Sequence, residues 1–306
     1  MPDTRTVSKP HMTPRMLLAT ILVGSLALSS PSQAAAPCQE HEIRLDGPAP
    51  ASLDRGASTV ELVDAIARVV RDKLDLPFSP TYKAYVCGDE TAFAEALLRN
   101  FGVRGVGGDW GIVPSAAGLA TRVGVFLRGD FLARTSFRRR VTVVAHEMAH
   151  LSQQDLARHQ DERLPVWMLE GHADWVAFQV LDLLALQPYS ESRAGIVRSV
   201  TGAVTPIEHF PALDTLADHE SWNRSVRSVP ATYGQAFLAV EYLIERSSRA
   251  ALVKFMSTSV DADDPRDRWA QAFGMPYRAF ADEFRARLKS LGRPATGLTV
   301  PPKSEP

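Results

Sequence analysis

Apolar residues between positions 59 and 74 recur at the three- and four-residue spacing of an amphipathic helix, whereas 42–45 and 81–86 have the length and alternation of strands. A second helical pattern covers 90–100. It is followed by a glycine-rich turn region over 102–111 and by 122–128, which reads as a strand with Val123, Val125 and Leu127 on one face. This order predicts a small mixed α/β layer. Beyond Phe131 strand signals nearly vanish, and helices are expected over 136–153, 165–186, 232–247, 252–256 and 277–290. Pro165 suits a first helical turn, and the Gln187-Pro188 step suits a stop. Between 190 and 227 the pattern offers one helix near 192–200, then a polar, proline-bearing connection long enough to suggest a functional loop. The proline-rich tail over 291–306 is expected to be disordered. The expected class is α+β: an N-terminal α/β part over 37–130, a motif-bearing helical part over 131–186 and a helical C-terminal part over 187–290.

The N-terminus changes the picture. Arg5, Lys9 and Arg15 precede an apolar run over 16–28, and small residues follow with cleavage positions after Ala34 or Ala36. Residues 1–36 therefore read as a secretory signal peptide, with an uncleaved anchor as the alternative and Met12 or Met16 as alternative starts. Pro37 before Cys38 spoils the small-residue pattern of a lipid-attachment site. Export as a secreted, periplasmic or cell-envelope protein is expected, with membrane contact only through the leader. Cys38 and Cys87 are the two cysteines; in an exported chain an even pair is expected to form a disulfide, two separate buried thiols being the other reading.

With 306 residues and 45% hydrophobic content the chain is long enough to bury a sizeable core. Lys plus Arg number 34 against 35 Asp plus Glu, so no charge excess argues for nucleic acid or an anionic membrane as a partner. The Arg138-Arg139-Arg140 run reads as a solvated helix start, although its charge opposes the helix dipole there.

Candidate chemistry lies in His146-Glu147-Met148-Ala149-His150. Two imidazoles four residues apart share one helix face and close on a single metal ion, while the intervening Glu147 sits beside any water the metal holds. Apolar neighbours Val143, Val144, Ala145 and Leu151 bury the helix, and buried histidines need partners. Zinc suits a site with nitrogen and carboxylate ligands and one water. Glu170, within the apolar segment from Trp167 to Trp175, is the candidate third ligand. Asp174 follows one turn later, placed to accept the second N–H of a ligating imidazole. His172 points away from Glu170 around the helix and is not expected at the same metal. His209, His219 and Asp109 have no assigned role.

H-E-x-x-H followed by W-x-x-E-G-x-A-D resembles the gluzincin metallopeptidases, especially the exported peptidase MA-like group. The resemblance implies a zincin-like fold and one zinc ion held by His146, His150 and Glu170, with Glu147 as general base. Tyr233, in Tyr233-Gly234-Gln235-Ala236-Phe237, is similar to the tyrosine that opens a later helix in that group and donates a hydrogen bond to the oxyanion. The G-x-M-E-N segment of the aminopeptidases is absent, so aminopeptidase activity is not implied. The expected function is zinc-dependent hydrolysis of peptide bonds in a peptide or protein substrate, as an endopeptidase, with 123–128 as a candidate edge strand for holding an extended peptide. A metal-bearing envelope protein that binds peptides without cutting them, or a structural domain, are the alternatives.

Overall fold

The computed structural model describes residues 38–101, 116–158, 164–258 and 265–291. The expected leader, the glycine-rich turn region with Asp109, and the tail from 292 lie outside the described residues. The class is mixed α+β: a four-stranded sheet joined to a mainly helical remainder. No helix among the described residues is long and apolar enough to cross a membrane.

The sheet runs β1 (Gln39–Glu42), β2 (Lys83–Cys87), β4 (Gly124–Arg128) and β3 (Gly118–Thr121) in spatial order. β1 pairs antiparallel with β2 (Gln39 opposite Val86), β2 runs parallel to β4 (Ala84 opposite Val125), and β3 returns antiparallel along β4 (Leu119 opposite Phe126). Three expectations need correction. The first strand lies earlier than 42–45, because backbone pairing at the sheet margin, not an apolar face, sets its extent: its side chains are mostly exposed. Val123 is 42% exposed in the β3–β4 turn and does not join the strand. The segment 123–128 is no edge strand, since β4 lies between β2 and β3; the outer position among the described strands belongs to β3.

β4 is buried along its whole length because both faces of the sheet are covered. Val125, Leu127 and Ala84 face the main core with α1 (Thr59–Lys73) and α4 (Phe137–Leu156). Phe126 and Cys87 face α2 (Glu90–Phe101), meeting Ala92, Phe93, Ala96 and Leu97. Gly124, at φ 143°, leaves no room for a side chain: a Cβ there would stand 1.9 Å from the Lys83 carbonyl oxygen. The expected disulfide is present, linking Cys38 ahead of β1 to Cys87 at the end of β2.

Helix ends follow local chemistry. Ser58 and Glu61 form a reciprocal capping box at α1, and the Ser136 hydroxyl accepts from the Arg139 N–H at α4. After the short α3 (Gly129–Ala133), α4 packs on α5 (Val166–Leu183), and α5 on α8 (Thr232–Arg246). The helix expected near 192–200 is α6 (Tyr189–Thr201), and the connection expected after it is largely ordered, holding two 3-10 turns (Ile207–His209 and Leu213–Leu216) and α7 (His219–Ser228). α7 buries only Trp222, too sparse an apolar signal to read in advance, and the Asp218 carboxylate accepts from Ser221 N–H to start it. α9 (Arg249–Ser257), α10 (Pro265–Phe273) and α11 (Tyr277–Leu291) close the chain, with Trp167 of α5 against Trp269 and Phe280.

Gly171 fixes the α5–α8 approach. A Cβ there would lie 2.3 Å from the Ala236 carbonyl oxygen and 2.9 Å from Val240 Cγ2. Gly171→Ala must separate the two helices and is expected to cost about 1–3 kcal/mol in urea denaturation.

Candidate metal centre

His146 and His150 stand one turn apart on α4, with ring centroids 4.8 Å apart, and Glu170 reaches them from the first half of α5. The Nε2 atoms lie 3.1 Å from each other, and Glu170 Oε2 is 3.3 Å from His146 Nε2 and 3.7 Å from His150 Nε2. Donors about 2.0–2.1 Å from a tetrahedral zinc ion are separated by about 3.3 Å, so one ion fits among the three. No other group of three His, Cys, Asp or Glu side chains converges in this way among the described residues.

The proton positions give the same answer. Asp174 Oδ1 lies 2.9 Å from His146 Nδ1, as its one-turn spacing from Glu170 predicts. Gln153 Oε1 lies 2.8 Å from His150 Nδ1. A carboxylate and an amide oxygen only accept, so both rings carry a proton on Nδ1. Two Nε2 lone pairs and a carboxylate oxygen are left facing one another. Only a cation or added protons can satisfy three such acceptors.

Electrostatics reflect that. Burial opposes charge on both imidazoles, yet Asp174 and Glu170 raise His146 well above its ordinary pKa, and Glu170 raises His150. Burial likewise opposes ionisation of Glu170, but the charge of His150 and hydrogen bonds from both rings hold it well below the usual carboxylate range. Comparison with protein-family models, curated proteins and solved structures finds no match. The centre must therefore be read from its own geometry.

Glu147 is buried and points from α4 beneath β3. A Cβ on Gly118 would stand 2.7 Å from Glu147 Cγ, so any larger residue there would force this side chain to shift. Burial raises its pKa, partly offset by the charges of His146 and His150 and by a hydrogen bond from the Ala120 amide. Tyr233, in the first turn of α8, has its ring 6.5 Å from that of His146 and 5.0 Å from that of Trp222, edge to face. It remains 38% exposed, and desolvation with the Glu170 and Asp174 charges pushes its pKa up, keeping the hydroxyl protonated.

His172 does not reach the cluster. It is fully buried on α5, its pKa lowered to about 3 by burial and the Arg249 charge. His209 ends a 3-10 turn and His219 starts α7, and neither joins the three donors. Sequence reasoning missed Gln153, Gly118 and Trp222. Of these only Gln153 had a readable signal, its place three residues after His150 on the same helix face.

Asp174→Ala leaves the His146 Nδ1–H without its acceptor. Divalent-metal affinity is expected to fall about 10- to 100-fold, measured by competition with a chromogenic chelator.

Proposed function

We propose that this chain is an exported zinc peptidase of zincin-like fold, akin to the peptidase MA-like gluzincins. His146, His150 and Glu170 hold the metal, and Glu147 serves as general base. One observation carries the reading: three converging metal donors with a buried carboxylate from the same helix beside them. A zinc ion held by these three side chains would supply an acidified water and a Lewis acid for the substrate carbonyl. Glu147 accepts the proton of the attacking water and returns it to the leaving amine. Tyr233 keeps its proton and donates a hydrogen bond to the developing oxyanion.

β3 takes over the substrate-holding role first assigned to 123–128. Arg128 N–H donates to the Ala117 carbonyl, which turns alternate backbone groups toward β4 and those of Gly118 and Ala120 to the opposite edge, above Glu147. The Ala120 N–H is given to Glu147, so an extended peptide would pair with the backbone groups of Gly118 and the Ala120 carbonyl, beside Glu147.

The test combines metal analysis with cleavage. Full-length protein purified without chelator should contain zinc at about one per chain by mass spectrometry, and should cut a broad peptide library in a manner lost on chelation and regained with zinc. Stoichiometric zinc with no turnover on any peptide, or no bound metal at all, would overturn the proposal.

A further inference from the structure

Gln153 is 1% exposed, and its carboxamide touches three groups at once. Nε2 donates to the Leu169 carbonyl oxygen at 2.8 Å and lies 3.0 Å from His172 Nδ1, while Oε1 meets His150 Nδ1 at 2.8 Å. Reversing the amide would press Oε1 against the Leu169 carbonyl oxygen, two acceptors in contact, so the orientation is fixed. Both amide hydrogens are then engaged, one by Leu169 and one by the His172 lone pair. Only a lone pair remains for His150, whose proton must sit on Nδ1 and whose Nε2 must face His146 and Glu170.

His172 is an odd choice for packing alone. It is wholly buried and stacks on Trp175 at 6.1 Å, yet its Nε2 has no hydrogen-bond partner among the described residues. An unpartnered buried N–H costs about 1–3 kcal/mol, a penalty that an apolar side chain would not carry. What the imidazole adds is the Nδ1 acceptor that engages the second amide hydrogen of Gln153.

We propose that Gln153 and His172 are positioning residues of the metal centre, forming with the Leu169 carbonyl a lock that holds His150 in its Nδ1–H form. The inference rests on the metal-centre reading and adds to it a neutral counterpart of Asp174. His146 is oriented by a carboxylate and His150 by an amide, so both rings are set while one negative charge fewer is buried.

Long-range proton–nitrogen NMR of the full chain, zinc-loaded and metal-free at a pH high enough to leave His150 uncharged despite its raised pKa, reads the tautomers directly. Zinc affinity by chelator competition accompanies it. The unaltered protein should show a proton on His150 Nδ1 in both states. Gln153→Leu should populate the Nε2–H form when metal-free and weaken zinc binding about 10- to 100-fold. His172→Phe keeps a flat, slightly larger aromatic ring without the Nδ1 acceptor and should weaken zinc binding about 3- to 10-fold, carrying the test should Gln153→Leu not fold. Gln153→Glu keeps an acceptor for the His150 Nδ1–H but sets its second oxygen against the Leu169 carbonyl, so it should hold the Nδ1–H form while binding zinc more weakly than the unaltered protein. Zinc binding indifferent to both Gln153→Leu and His172→Phe, or His150 protonated on Nε2 in the unaltered metal-free protein, overturns the lock while leaving the centre standing. A protein that holds His150 in the Nδ1–H form but binds no zinc overturns the metal-centre reading and leaves the lock standing.

Discussion

Glu147→Gln is expected to retain stoichiometric zinc while losing peptide hydrolysis by about 100- to 10,000-fold, a barrier increase of about 3–5.5 kcal/mol. Glutamine has the same shape, so it still fits under Gly118, and it leaves His146, His150 and Glu170 untouched. It has no lone pair basic enough to take a proton from water. Folding should not suffer, because the exchange removes a buried carboxylate whose ionisation is already opposed by desolvation. Steady-state cleavage of a fluorogenic peptide, with metal content measured on the same preparation, separates chemistry from metal loss. Turnover equal to the parent's would take the general-base role away from Glu147.

The second large effect concerns stability. The Cys38–Cys87 link closes a loop of 49 residues, and in the chain-entropy account a bridge of that span stabilises by about 4 kcal/mol. Replacing both cysteines by alanine, or adding a reductant, should lower the urea-extrapolated stability by about that amount. Part of the effect is local, because Cys87 is also packed in the small cluster beneath α2. A melt unchanged by reductant would mean that β1 is held by its four-residue pairing with β2 alone.

The candidate site was more legible in the chain than the fold around it. Metal-ligand spacing on a helix is a local property, so His146, Glu147 and His150 declare themselves without tertiary information, and Glu170 with Asp174 one turn on follows from a second helix. Helices with dense apolar faces, such as α1, α4 and α8, were placed to within a few residues. What escaped was set by partners distant in sequence. β3 is four residues long and has no apolar pattern of its own; it exists because β4 offers it a ladder. The alternation over 122–128 marks Val125 and Leu127 as sharing one face, but it says nothing of the second cover that buries Phe126 on the other face, and Val123 falls in the turn outside β4. Gly118 and Gln153 matter through what stands opposite them, the Glu147 carboxylate in one case and His150 and His172 in the other, and no periodicity encodes that.

One helix, α5, supplies Glu170 to the metal position, Asp174 to His146, and both the Leu169 carbonyl and His172 to the amide that orients His150. A slide of that rod along its axis would detune both rings and withdraw the carboxylate together. Damage to the α5–α8 seam thus reaches the carboxylate and both orienting contacts at once, and seam substitutions should loosen the hold on the ion through all of them together rather than through any single one.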